Sequence, residues 1–455
     1  MVTGTGALRS EGDRARERAA GKSYVIPALE IVGFDFLLNR IDYLSDKETY
    51  GVTASSIRDN ATGTWVADAD PFTVNQFFHP YQGSIYFGSA RSAGLTYWES
   101  LGYTIGGSLL WEIAGETGPP SYNDQITTGF GGTFLGEPLF RMASLLLEGG
   151  DGRPGVWREL GAALISPPTG FNRLVFGERF DAVFPSRNPA FFTRLRLGGS
   201  LNDRVSEQGV SHSVKRKEAT ADFHMAYGLP GKPGYRYTRP FDYFDFQFTA
   251  VNTSMFENIM SRGLLYGTDY QVGDAYRGVW GLYGNYDYIS PQIFRVSSTG
   301  LSLGSTGEWR LSRPVTLQGT LLGGLGYGAA GTIRSSSSER DYHYGATPQG
   351  LLALRLLFGN VANLDVTARG YYVSSIAATE NRGVERIARG DAALTVRVYG
   401  HHGITLKYVA SRRDATYHDI DARRQTIGTF SLLYEVMSDK TFGAVGWGAD
   451  DAQGR

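Results

Sequence analysis

From about residue 190 onward, apolar and polar positions alternate with a period of two. The alternating segments run for about 8 to 12 residues between clusters of Gly, Asn, Asp, Ser and Pro. In "DYFDFQFTA" one face carries Phe244, Phe246, Phe248 and Ala250, and the other carries Tyr243, Asp245, Gln247 and Thr249. In "NLDVTARGYY" Leu364, Val366, Ala368, Gly370 and Tyr372 oppose Asp365, Thr367, Arg369 and Tyr371, and in "AALTVRVYG" Leu394, Val396 and Val398 oppose Thr395, Arg397 and Tyr399. Roughly twelve such segments can be counted, near 193–202, 214–228, 241–252, 257–268, 274–287, 291–310, 314–329, 341–358, 361–375, 386–399, 402–416 and 424–437. An even number of antiparallel strands predicts a transmembrane β-barrel, with a soluble sandwich or propeller as the alternative. Three features favour lipid. Full charges (Arg194, Arg196, Asp222, Arg355, Arg369, Arg397, Lys407, Glu435) gather on the face opposite the apolar one. Aromatics stand near strand ends (Trp280, Tyr286, Tyr288, Trp309, Tyr327, Tyr371, Tyr372, Tyr399), as interfacial girdles require. Small residues scattered over the apolar face suit a wall bathed in lipid.

Residues 25–180 follow a different rhythm. "VIPALEIVGFDFLLNRIDYL" repeats apolar residues at helical spacing, at Leu29, Val32, Phe36, Leu37 and Ile41, with Pro27 near the start, where a helix tolerates it. Residues 45–70 read as loop, and further helices are predicted near 74–93, 96–115, 122–148 and 155–165. Gly118, Pro119 and Pro120 break the chain before Ser121 and Asp124, an S-x-x-D capping signal. Gly102 with Gly106, and Gly129 with Gly132 and Gly136, form stripes that would let backbones approach closely.

Composition narrows the picture. Glycine is abundant at 60 of 455 residues, which suits tight turns and close packing, and 27 Tyr, 25 Phe and 7 Trp make the chain rich in aromatics. A net charge of −1 gives no electrostatic case for nucleic acid. No apolar run is long enough for a spanning α-helix. Cysteine is absent, which excludes disulfides, thiolate metal sites and a cysteine nucleophile. The polar start, "MVTGTGALRSEGDRARERAAGK", has no hydrophobic core of a secretory signal peptide.

Candidate chemistry lies in the helical region, in the set His79, Gln82, Arg91, Glu99, Glu112, Glu116, Asn123, Asp124, Glu137 and Arg141. Glu112 and Glu116 are spaced i, i+4 and share a face if their helix reaches residue 116. Glu137 and Arg141 have the spacing of an intrahelical ion pair. One reading is a catalytic site of His79 with Glu112, Glu116 or Asp124, since a carboxyl in apolar surroundings can act as general acid. The other is a structural network in which these acids face the barrel lumen and meet Arg355, Arg369 and Arg397. No HxxxH, HExxH or DxD spacing argues for a metal, and no P-loop or G-x-S-x-G occurs. No cofactor is expected. His401 and His402 sit at a predicted turn and are expected to face solvent.

"HPYQGSIYFGSARSAGLTYWES", "GSLLWEIAGETGPPSYND" and "GGTFLGEPLFR" together resemble the signature of domain-of-unknown-function family 3943 of Gram-negative bacteria. "IPALEIVGFDFLLNRID" is similar to that family's N-terminal helix. The motif positions are His79, Pro80, Gly83, Trp98, Glu99, Trp111, Glu112, Gly115, Glu116, Ser121, Asp124, Gly132, Gly136, Glu137 and Arg141. The resemblance covers about residues 24–175. It implies an exported outer-membrane protein with helices joined to a C-terminal barrel, and it implies no activity. The lack of a signal peptide departs from that expectation, as does the end "GWGADDAQGR", which lacks a terminal aromatic; "TIGTFSLLYEVM" would then be the last strand.

The expected organisation is a disordered polar start (1–24), a helical domain (25–185) that plugs or caps the barrel, a transmembrane barrel of about twelve strands (190–440) and a tail (441–455). The expected role is binding, transport or envelope organisation in the bacterial outer membrane, with membrane lipid and a small-molecule or lipid ligand as partners. The alternative is a membrane-embedded enzyme acting on lipid or cell-wall substrate through His79 and the acids.

Overall fold

The computed structural model describes residues 21–446, except 69, 150–153, 178–179, 181–183, 208–209, 213–216, 292, 333–341, 377–382 and 418–421. The start expected to be disordered and the last residues of the tail lie almost wholly outside the described residues. The chain divides between Asn188 and Pro189 into two compact units.

The first unit is helical. Its helices are α1 (Val25–Ser45), α2 (Ala54–Thr62), α3 (His79–Ser92), α4 (Tyr97–Ala114), α5 (Tyr122–Ile126), α6 (Gly132–Glu148), α7 (Val156–Ile165) and α8 (Pro167–Phe176). Two π-helical turns, Val74–Phe78 and Thr127–Gly131, lead directly into α3 and α6. The expected loop at 45–70 in fact contains α2. Its start is fixed by a reciprocal capping box between Thr53 and Ser56, a signal that a reading based on apolar spacing passes over.

Two glycines decide the packing at the centre of this unit. A Cβ on Gly83 would lie 1.9 Å from the carbonyl oxygen of Thr128, and one on Gly132 would lie 2.5 Å from Gly83 Cα. Here α3 and the start of α6 touch backbone to backbone. Gly136 continues the contact against Phe87 and Ser84. The expected GxxxG contact at Gly102 and Gly106 does not form, because both face open space.

The second unit is a closed antiparallel barrel. Its strands are β1 (Phe191–Glu207), β2 (Val210–His212), β3 (Lys217–Tyr227), β4 (Phe244–Val251), β5 (Ser254–Val272), β6 (Tyr276–Ile289), β7 (Phe294–Arg310), β8 (Val315–Thr332), β9 (Tyr342–Phe358), β10 (Ala362–Val373), β11 (Gly383–Tyr399), β12 (His402–Tyr417) and β13 (Arg423–Met437). Each strand pairs with its successor, except that short β2 only extends the β1 end, so twelve strands form the wall. Closure comes from β1 on β13, from Arg194 opposite Met437 to Glu207 opposite Gln425. Closure leaves no edge strand, which is what hydrocarbon demands.

Alternation then sorts the faces. Leu195, Leu197, Leu301, Leu303, Leu321, Leu325, Leu394, Val396, Val398, Leu406, Phe430 and Leu432 are exposed large apolar residues. Rows of this kind have no place in water, and they make the barrel a transmembrane one. At the short-turn end of β5–β7, Tyr266, Trp280 and Trp309 are exposed, and Tyr276 stacks on Trp309 with ring centroids 4.2 Å apart. This is an interfacial girdle. Tyr286, Tyr288 and Tyr371, expected in such girdles, are buried instead.

Candidate functional site

The sequence-predicted acids converge in the helical unit. His79 opens α3, Glu112 lies in the last turn of α4, and Asp124 lies in α5. The segment before α5 is held in place by a backbone bridge between Val66 and Ser121. Ser121 caps α5 as expected, its hydroxyl accepting the Asp124 N–H at 3.2 Å. The acid that takes the Ser121 N–H is Glu112, at 2.6 Å. Asn123 ties the loop together: its Oδ1 accepts the Ser121 hydroxyl and the Asp68 N–H, both at 2.7 Å, and its amide donates to Asp124 Oδ1 at 2.8 Å. His79 Nε2 stands 4.0 Å from Asp124 Oδ1, an approach rather than a hydrogen bond.

Glu116 does not share the helical face of Glu112. Helix α4 ends at Ala114 with Gly115 as its cap, and Glu116 turns back to accept the Trp111 indole N–H at 2.8 Å. Asn60 of α2 donates to the Glu116 carbonyl at 3.0 Å.

The electrostatics follow from burial. Glu112 is 7% exposed and Asp124 3%. Desolvation, then the Asp124 charge, push Glu112 up to about 9. Desolvation, then Asp68, raise Asp124 well above its usual range. Glu116 is pushed up to about 7 by burial, with His79 and the Trp111 indole pulling the other way. Burial lowers the His79 imidazole, against the pull of Glu116, Asp68 and Asp70. Burial therefore favours the uncharged forms of these acids and of the histidine beside them. The arrangement can store and exchange protons, and no metal-binding group of three His, Asp or Glu occurs among the described residues.

Sequence reasoning missed Asp68, and also Asp35, which accepts the buried Tyr86 hydroxyl. Asp68 was hidden in a segment read as loop. Asp35 was legible only as one of the row Pro27, Ile31, Asp35, Asn39, the buried side of α1.

A second cluster is structural. Glu137, fully buried, receives Arg91 Nε at 2.7 Å and, as its i, i+4 spacing predicts, Arg141 Nε at 2.7 Å. Phe140 and Phe184 each lie 4.6 Å from the Arg91 guanidinium. Residues 64–168 match the model of DUF3943, a domain of unknown function. Both clusters draw their ionisable groups from this segment.

The barrel arginines, expected to meet those acids, find partners within the barrel. Asp365 receives Arg194 at 2.5 Å, Arg355 at 2.8 Å and Arg196 at 3.1 Å, while Arg196 also reaches Glu435 at 2.5 Å. Arg369 pairs with Asp391 at 3.3 Å, and Arg397 donates to the Asn360 carbonyl. Lys407 bridges to Asp222 at 2.8 Å, and the Tyr371 hydroxyl donates to Asp287 at 2.8 Å. These last pairs join strands that are not neighbours, so they cross the lumen. The layer lines a cavity of about 90 Å³. On one side of it, Met260, Ile289, Phe294, Val296, Ala330, Tyr371, Val373, Ile387 and Ile427 pack together. On the other, Phe442 folds back from β13 onto Phe192, Leu229, Leu357 and Met437. Arg277 holds this turn by donating to the Val445 carbonyl at 2.6 Å.

Among solved structures, the TodX monoaromatic hydrocarbon channel, as a deltaS2 mutant, is 9% identical, with 61% of this chain and 94% of that chain covered at a TM-score of 0.23. An OmpT loop L8 deletion mutant, an outer membrane protein of Vibrio cholerae, is 9% identical over 54% of this chain and 98% of that one, TM-score 0.22. The translocator domain of the autotransporter NalP from Neisseria meningitidis is 16% identical over 54% and 89%, TM-score 0.23. With TM-scores this low, the transmembrane assignment stands on the barrel's own geometry. No curated protein matches the chain.

Proposed function

We propose that the protein resides in the bacterial outer membrane, that its barrel is a sealed anchor rather than a channel, and that the helical domain carries a binding or envelope-organising role. The observation behind this reading is the filled lumen, with an apolar layer, an ion-paired layer and a second apolar layer in succession. The ends of the barrel fit the assignment. At the end that holds Phe191 and Met437, turns 273–275, 311–314, 359–361 and 400–401 are short and only 228–243 is long, while the other end carries the longer connections 333–341, 374–382 and 418–422 beside the short 252–253 and 290–293, a partial match to periplasmic turns and extracellular loops. Both ends of the barrel chain, near Phe191 and Met437, lie on the short-turn side. Proteoliposomes carrying the full chain test the reading by osmotic swelling in arabinose. No swelling above protein-free vesicles is expected, and swelling at the rate of an open porin refutes it.

A second reading, an enzyme acting on lipid or cell-wall substrate, draws on the 4.0 Å approach of His79 to Asp124 beside a Glu116 poised near neutrality. Against it, His79 is only 7% exposed, so a substrate reaches it only if the helices move. Incubation with Gram-negative phospholipid and peptidoglycan, read by mass spectrometry, separates the two. Product released by the native chain but not by Glu116→Gln establishes the enzyme, and no product leaves the binding role.

A further inference from the structure

Three helices of the first unit turn large apolar side chains outward. On α1 the buried positions are Pro27, Ile31, Asp35 and Asn39, while Val25, Leu29, Val32, Phe36, Leu37, Ile41 and Leu44 are 53–79% exposed. On α8, Thr169 and Asn172 are buried, whereas Leu174 is 84% exposed and Phe171 and Val175 about half. Asn172 donates inward to Ser92 Oγ at 2.6 Å. On α7, Trp157 and Leu164 are 86% and 85% exposed, with Val156 and Leu160 on the same stripe, while Glu159 is taken inward by Arg173 at 2.7 Å. A unit surrounded by water would bury residues of this kind, since each exposed leucine or phenylalanine forfeits the gain of removing its apolar surface from water.

We infer that the apolar faces of α1, α7 and α8 lie in the interfacial layer of the lipid bilayer, so the helical domain is itself a membrane-surface domain. The chain says why lipid is the occupant rather than a protein partner. Only residues 177–190 separate α8 from β1, a tether of at most ~50 Å, so the domain cannot leave the vicinity of the membrane that holds the barrel. No described helix is long and apolar enough to cross, which leaves the in-plane arrangement of an amphipathic helix. Arg40 interrupts the α1 stripe, but its guanidinium lies 5.0 Å from the Tyr43 ring and donates to Asn39 Oδ1 at 2.9 Å, so its charge is partnered within the protein rather than left bare among the apolar side chains.

The chain has no cysteine, so single cysteines can be placed at will. The full protein, in nanodiscs of phosphatidylethanolamine and phosphatidylglycerol, is spin-labelled at Leu37→Cys, Leu164→Cys and Leu174→Cys, with Ser55→Cys of α2 and Leu406→Cys of the barrel wall as references. Power-saturation EPR then compares collisions with oxygen and with a water-soluble nickel chelate. Collisions with oxygen should exceed those with nickel at the three helix positions and at Leu406, and the reverse should hold at Ser55. Nickel-dominated collisions at the helices with Leu406 still lipid-like overturn the inference alone, whereas a water-like Leu406 refutes the membrane barrel itself. Protection from both reagents at the helices shows a protein covering the faces and also overturns it.

Discussion

At the scale of single residues, the helical domain concentrates its cost in a few buried ionisable groups. Glu137 sits between Arg91 and Arg141, and removing it leaves two guanidinium groups buried without their shared acid. Breaking a buried pair costs ~3–5 kcal/mol. Glu137→Ala should therefore lower the unfolding free energy, read from urea titration of the far-ultraviolet helical signal, by about that amount, and a loss under ~1 kcal/mol would show that the triad is not a keystone. The Glu112 and Asp124 cluster behaves oppositely with respect to charge. Glu112 is raised from 4.5 to about 9 and Glu116 from 4.5 to about 7, so the folded chain holds protons that the unfolded chain releases. Their contribution is complete below pH 4.5 and is lost as pH rises through 7 and then 9. The helical melting temperature should fall between pH 5 and 9, and Glu112→Gln should flatten that slope. A melting temperature that rises over this range would contradict the assignment.

At the scale of elements, two glycine substitutions make opposite predictions. At Gly83 a methyl group meets the Thr128 carbonyl, so Gly83→Ala must push α3 from the π-turn before α6 and cost ~1–3 kcal/mol. At Gly102 nothing lies within 4 Å, so Gly102→Ala should stabilise α4 by ~0.5–1 kcal/mol. Thermal unfolding of the two variants checks both signs. The pair also shows what the sequence could tell. Period two named every long strand and part of its inward charge, because a wall between lipid and lumen leaves each residue only one side, but it passed over buried pairs such as Arg262 with Asp287 and Arg413 with Glu385. Helical spacing located α1, α3, α4, α6 and α7, but it could not say which face was outward. In α1 the leucines turn out and Asp35 and Asn39 turn in. Helix α8 was not among the predicted helices; Pro167 and Pro168 form its first turn. The cluster at Glu112 was legible as residue types, but its wiring through Ser121, Asn123 and Asp68 depends on a bridge at Val66 that no local pattern encodes.

At the scale of the whole molecule, the barrel spends its interior on closure. Twelve strands could leave a narrow passage; arginine–carboxylate pairs span it between two buried apolar clusters, and the proposed reading takes these as its seal. Single-channel recording in planar bilayers tests this most directly. The intact chain should insert without a stable conductance. A variant lacking residues 438–446 and carrying Tyr371→Ala, Ile387→Ala and Ile427→Ala, with both apolar layers thinned, should flicker open. A large, long-lived conductance from the intact protein would contradict the sealed barrel.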